Sequence, residues 1–282
     1  MSLEDADTRE EAEAILRQIA AAADAEIDLA EGALALAALD RPQVPLARYR
    51  DHLKELAEEV AAEAKTGTRS GASGAAALAR VLFERHGYEG DRLTYDDLQN
   101  ANLMRVIDRR KGLPVALGIL MIHAARAQGW TMVGLNFPGH FLVRLESPSD
   151  RLILDPFSGG AVLTTAALRD RLKEAAGASA ELKGDYCEAV GNRAVLLRLE
   201  NNVKTRLIRE HKLEAAQRVV MRMIAFAPEE AGLWREAGLI EAHLGNLKRA
   251  IGLIETYRKK STSEAQRRHA AVLLQDLAQR LH

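Results

Sequence analysis

Apolar side chains recur at helical spacing from Glu10 to Leu39, in a stretch rich in Ala, Leu and Glu that contains no glycine before Gly32. The pattern predicts helix. Pro42 and Pro45 interrupt it, and Leu46 to Ala64 resumes it with Glu and Lys on the wet face. Residues 1–65 are therefore expected to form a helical hairpin packed on the domain that follows. The run of small residues from Thr66 to Gly74 reads as a flexible connection, and Ala75 to His86 as a further amphipathic helix ended by Gly87. After another helix and loop, Pro114 opens the most apolar helix of the chain, Val115 to Gln128, closed by Gly129. Proline suits that first turn because the N–H it lacks would have no intrahelical partner there.

The period then changes. Thr131–Asn136, Phe141–Leu145 and Leu152–Leu154 are short β-prone runs, separated by Pro138-Gly139 and by the turn residues 147–150. They predict an antiparallel meander, so the segment 66–185 is expected to be an α+β domain in which strands follow helices. Beyond it, residues 186–282 read as helical throughout, with a repeat of about 34 residues. If Ala250 takes the small position of a tetratricopeptide repeat's second helix, Trp234 and Gly238 fall on the tryptophan and glycine of that repeat. One period earlier, Ala216 and Pro228 fall on the small position and the terminal proline. Glu200 and Thr262 depart from the pattern, at the first repeat's tryptophan and the second repeat's proline. With about three repeats needed for independent stability, two repeats and the helix Ser263–His282 are expected to lean on the middle domain.

At 282 residues and 48% hydrophobic, the chain can bury a sizeable core. It contains no apolar run of roughly 18 residues and opens on the acidic stretch MSLEDADTRE, from which a cytoplasmic location and no membrane contact are expected. A single cysteine, Cys187, excludes an intramolecular disulfide and a zinc site of paired thiols. The eight histidines never recur at i, i+4, so no metal centre and no cofactor are expected. The net charge of −1 hides an asymmetry: seven basic and sixteen acidic groups over residues 1–65, seventeen and eleven over 186–282. The basic groups of the latter segment are scattered among glutamates without interleaved aromatic residues. Direct nucleic-acid binding is thus not expected, and attraction to the chain's own acidic head or to an acidic partner suits the segment better.

Leu82-Phe83, Gly87-Tyr88, Asn100-Ala101-Asn102-Leu103, Arg109-Arg110-Lys111-Gly112-Leu113-Pro114, the run Asn136 to Leu142 (NFPGHFL) and Leu154-Asp155-Pro156-Phe157 stand in a fixed order and spacing. In these motifs the chain resembles the SirB1 family, over roughly residues 25–280. The resemblance implies a mainly helical α+β fold: transglutaminase-like (cysteine-protease-like) helices with an antiparallel sheet, followed by an all-α tetratricopeptide-repeat array. Active members of the wider transglutaminase-like superfamily use a Cys-His-Asp triad, with the cysteine at the N-terminus of a buried helix where orphan N–H groups favour the thiolate. His140 and Asp155 match the last two positions. The nucleophile's place falls at Pro114 or Val115, and neither side chain can attack a carbonyl.

Two readings follow. In the first, the protein is a non-catalytic interaction or regulatory adaptor: the repeats bind a protein or peptide, and His140 and Asp155 are a relict pair joining two strands. In the second, it is a hydrolase or amidase acting on a protein or peptide, with His140 and Asp155 activating water. Trp234, Asn136, Asn100 and Arg109 are candidate binding residues, although a tryptophan at Trp234's repeat position more often packs between helices. Arg105, Arg109, Arg110 and Lys111 cluster before the buried helix, where Asp96, Asp97 and Asp108 offer local partners. Cys187 reads as a half-buried small residue and His123 as a core or rim histidine. Ser158 and Thr164 follow the aspartate with no base directed at them by any motif.

Overall fold

The computed structural model describes residues 3–65, 70–148 and 150–281. It divides into two compact units, one of residues 1–15 and 23–199, the other of residues 16–22 and 200–282. The first part of the expected connection, residues 66–69, lies outside the described residues.

The head is not one helix as far as Leu39. Helix α1 (Leu3–Ala21) ends, a 3-10 turn occupies Asp24–Glu26, and α2 (Leu29–Leu39) starts afresh. Two aspartates make the break. Asp28 caps α2, its Oδ1 accepting from the N–H groups of Ala30 and Glu31 at 2.9 and 3.0 Å. Asp24 accepts from the backbone N–H of Asn192 at 2.7 Å and of Arg193 at 2.9 Å, a distant segment that no local pattern announces. Helix α3 (Ala47–Ala64) buries Tyr49, Leu53, Leu56 and Val60 at helical spacing, and α2 and α3 both pack on the central helix α6 described below.

Helix α4 (Gly71–Leu78) begins inside the stretch expected to be flexible. Ser70 and Ser73 form a reciprocal capping box. Two glycines lie inside this helix where the sheet crowds it: a Cβ on Gly74 would stand 3.3 Å from the Trp130 ring, and one on Gly71 would stand 3.1 Å from Ser147 Oγ. The helix continues as a π-helical segment over Ala79–Arg85. Next come β1 (Glu89–Gly90), α5 (Leu103–Arg109) and β2 (Lys111–Gly112), the two short strands pairing in parallel. Helix α6 (Pro114–Arg126) has Pro114 at its first position and is buried almost all round, which is why it reads as uninterrupted hydrophobicity.

The predicted meander is present as β3 (Thr131–Leu135), β4 (Val143–Glu146) and β5 (Arg151–Asp155), antiparallel throughout, with Val143 opposite Gly134 and Leu154. Two strands of two residues extend it, β6 (Ala161–Val162) beside β5 and, after α7 (Thr165–Ala176), β7 (Ala189–Val190) beside β3. Phe141 seats the sheet on α6: a Cβ on Gly118 would stand 2.5 Å from its ring. On the opposite face, Leu168 and Leu172 of α7 pack with Leu135, Phe137 and Leu142.

Helix α8 (Asn192–Arg209) starts in the first unit, and the break between units falls inside it, after Leu199. The second unit continues as α9 (Leu213–Phe226), α10 (Ala231–His243), α11 (Leu247–Lys260) and α12 (Glu264–Leu281), each packed on the next. Here the repeat frame has physical content. Ala216 and Ala250 are fully buried, and a Cβ on Gly238 would stand 2.6 Å from Ile254 Cδ1, so the glycine sets how closely α10 and α11 approach. Glu200, where the frame has tryptophan, is buried and ion-paired with Arg222 of α9.

Candidate functional site

The turn between β3 and β4 and the end of β5 bring His140 and Asp155 together. His140 Nε2 stands 2.8 Å from Asp155 Oδ1, with the carboxylate fully buried and the imidazole 14% exposed. Gly139, at φ +68°, lets the chain turn immediately before the histidine. Asp155 is heavily solvated by protein. The same Oδ1 accepts from the N–H of Phe157 at 2.9 Å, while Oδ2 accepts from Ser158 Oγ at 2.9 Å and Arg171 Nη2 at 2.7 Å. Burial pushes this carboxyl's pKa up, but the bond and charge of His140, with those of Ser158 and Arg171, outweigh it and hold it below the ordinary carboxylate value. An ionised Asp155 can only accept, so the hydrogen it shares with His140 sits on Nε2. No described residue is hydrogen-bonded to Nδ1.

Around the pair, Phe157 acts as an aromatic wall. Its ring stands edge-on to His140 and to Tyr95, at centroid distances of 6.1 and 5.7 Å, and lies under the Arg92 guanidinium at 4.9 Å. A Cβ on Gly90 would fall 2.4 Å from this ring, so β1 can pass behind it only as glycine. The His140 carbonyl accepts from Arg198 Nη2 at 2.7 Å, which fixes the backbone of the turn.

Helix α6 packs against the 3-10 turn Pro156–Ser158 that follows Asp155. At its N-terminus stand Pro114 and Val115, both buried and without a nucleophilic atom. The hydroxyls near Asp155 are committed elsewhere: Ser158 donates to Asp155 and accepts from Arg171 at 2.8 Å, and Thr164 caps α7 by accepting from Ala167 N. Cys187 is half-buried against the apolar cluster of Leu135, Phe137 and Leu142, on the face of the sheet that α7 covers.

The other candidates do not converge on the dyad. Asn100 is fully buried and holds together its own loop, its Nδ2 donating to Thr94 O at 2.7 Å and its Oδ1 accepting from Arg109 Nη1 at 2.9 Å. Arg109 also pairs with Asp91 at 3.0 Å. Burial pushes the Asp91 carboxyl up, but bonds from Thr94, Arg109 and Asn100 bring it down to about 2. The basic run thus disperses: Arg109 to Asp91, Arg110 to His52 and the Tyr88 hydroxyl, Lys111 to Glu89. Asp108 is taken instead by Arg41, Arg48 and Tyr49. Asn136 is exposed, and its backbone N–H donates to Glu188 O. His123 stands 3.3 Å from the Leu53 carbonyl. In the repeats, Trp234 donates its indole N–H to Pro228 O at 2.8 Å and packs against the cluster of Ala242, Ala250 and Ile254. Arg171 and Phe157 escaped the sequence reading as site residues. For Arg171 the signal is absent, since nothing in the polar pattern of α7 distinguishes a residue that reaches back to Asp155.

A family model described as the transglutaminase-like superfamily matches residues 47–201, and a tetratricopeptide-repeat model matches residues 203–275. A UPF0162 protein of Vibrio cholerae serotype O1 is 32% identical over 219 residues, covering 77% of this chain and 80% of the relative. A UPF0162 protein of Xylella fastidiosa strain Temecula1 is 32% identical over 185 residues, covering 64% and 66%. Protein SirB1 of Salmonella typhimurium is 28% identical over 168 residues, covering 59% and 62%. The chain matches 66% and 62% of the lengths of the two Xylella relatives, just under two thirds. No solved structure matches it. With a matching model over more than half its length and the Vibrio relative aligned along most of both chains, the chain belongs to the transglutaminase-like superfamily, in the SirB1 (UPF0162) family with tetratricopeptide repeats.

Proposed function

We propose that this protein is a non-catalytic, cytoplasmic interaction adaptor. The repeats hold a protein or peptide partner, and the transglutaminase-like unit is a scaffold whose His140–Asp155 pair joins the β3–β4 turn to β5. One observation carries the reading: at the place of the nucleophile α6 opens with Pro114 and Val115, while the sole cysteine, Cys187, packs into the apolar cluster on the α7 side of the sheet. A buried His–Asp bond has a sufficient structural purpose, contributing about 1 kcal/mol net. Repeat arrays present extended surfaces to partners, which supports placing the contact there. The test is affinity capture from native bacterial extract with the full chain, the His140→Ala chain and a Gly238→Leu chain with disturbed repeat packing. The reading expects one partner held by the first two and lost by the third.

A second reading is favoured by His140 Nδ1, which is hydrogen-bonded to no described residue. With Nε2–H held by an ionised Asp155, His140 is set up as a general base that would draw a proton from water and deliver hydroxide to an amide or ester. Hydrolysis of peptide or amide substrates by the full chain, abolished in His140→Ala, would replace the adaptor reading with this one.

A further inference from the structure

His52, on α3, sits where two short strands begin. Its side chain, 11% exposed, meets Tyr88, which directly precedes β1, and Arg110, which directly precedes β2. Arg110 Nη1 donates to His52 Nε2 at 2.6 Å and to the Tyr88 hydroxyl at 2.5 Å, and that hydroxyl stands 2.9 Å from the same Nε2. A guanidinium has no acceptor, so Nε2 must accept. The ring hydrogen is therefore on Nδ1, 2.9 Å from Glu55 Oε2. The arrangement requires a neutral imidazole, because a proton on Nε2 would face the N–H of Arg110.

We propose that His52 is a pH-sensitive latch: neutral, it ties Arg110 and Tyr88 to α3, and on protonation it releases Arg110 and loosens the β1–β2 pair. The latch works the same way whether the His140 site binds or catalyses. Its surroundings set the direction. Burial pushes the His52 pKa down and the bond to Glu55 raises it, but Arg110 and the His86 ring, edge-on at 5.4 Å, lower it further, to below the ordinary histidine value. The remaining charged groups around the cluster are matched with one another: Glu59 with His86 and Arg85, Asp108 with Arg41 and Arg48, Glu89 with Lys111. The backbone that the latch holds is strained. Arg110 has φ +60°, a left-handed conformation costly for any residue but glycine, and its carbonyl accepts from the Glu89 N–H at 2.9 Å. The Gly112 carbonyl accepts from the Asp91 N–H at 3.3 Å. Once the Arg110 side chain is released its backbone can relax, and these two bonds go first. Gly90, between them, backs the Phe157 ring that stands beside His140, so acid reaches the wall of the dyad through β1.

The test follows the full chain by NMR between about pH 7.5 and about pH 4.5, reading the His52 ring and the exchange protection of the Glu89 and Asp91 amides. His52, assigned by the signal lost in His52→Gln, is expected to titrate below the ordinary histidine range. Protection at Glu89 and Asp91 should fall by roughly tenfold as His52 takes its proton, while the α6 amides keep theirs. With the folded value depressed, the stability that His52 contributes is complete above the unfolded value of about 6.5 and is lost as pH falls through the folded one. Arg110→Met removes the cation that the ring serves, so it should raise the His52 midpoint and abolish the pH dependence at both amides. His52→Gln should abolish that dependence too, and His86→Gln should leave it in place. A His52 midpoint in or above the ordinary range, or no titration above about pH 4.5, overturns the latch. So does unchanged protection at Glu89 and Asp91 through the titration, or loosening that persists in His52→Gln or Arg110→Met. Equal loss at the α6 amides overturns it by marking global acid unfolding, and abolition by His86→Gln alone would make His86 the switch instead.

Discussion

Arg171 and His140 grip opposite oxygens of one buried carboxylate: Asp155 takes the histidine on Oδ1 at 2.8 Å and the arginine on Oδ2 at 2.7 Å. The strand end, the β3–β4 turn and α7 are tied through that single residue. Replacing it is therefore a test of architecture as well as of chemistry.

Asp155→Asn keeps an acceptor for His140 but loses the charge that Arg171 needs. It should destabilise the fold by about 2 kcal/mol at pH 7. The pH dependence has a definite sign. Because the folded carboxyl titrates below its unfolded value of about 3.9, its contribution is complete above about pH 5 and is lost as pH falls through the folded value. Denaturant midpoints of the two chains should converge on acidification below about pH 4.

His140→Ala removes one of four bonds to Asp155 and a half-buried ring. A loss of about 1 kcal/mol in urea unfolding is expected, with partner capture intact. Unchanged stability together with loss of a hydrolytic activity would favour the general-base reading.

Asp24→Ala strips the first turn of α8 of a cap made from 168 residues away, leaving the N–H groups of Asn192 and Arg193 unmet. A cost of about 1–2 kcal/mol is expected. Hydrogen exchange at those two amides should accelerate more than at α9.

Gly238→Ala adds a methyl where Ile254 Cδ1 would lie at 2.6 Å and the Ala250 carbonyl at 3.3 Å. The isoleucine can swing away but the carbonyl cannot, so overpacking should exceed the gain in helix propensity, at about 1–3 kcal/mol net. Thermal unfolding followed by circular dichroism reads this directly.

Cys187→Ala deletes only a small packed atom. The expected cost is at most about 1 kcal/mol, with no change in partner capture or in any hydrolytic rate. Loss of activity on this substitution would make the thiol a nucleophile and contradict the packing role.

What the sequence determined by itself was everything carried by period and local chemistry. The buried helix behind Pro114, the three-strand meander and the tetratricopeptide frame at Trp234, Gly238 and Ala250 were all legible, because amphipathic spacing and small-residue positions report burial directly. His140 and Asp155 were legible as a pair through their motifs. Only the tertiary structure decided how polar groups distant in sequence are matched. Asp24 ends a helix that its own neighbours would continue, since it serves amides at Asn192 and Arg193. Arg109 meets both Asn100 and Asp91, and Arg171 reaches Asp155. Hydrophobic burial is written residue by residue, whereas a hydrogen bond or ion pair belongs to two residues and depends on the fold to bring them within 3 Å.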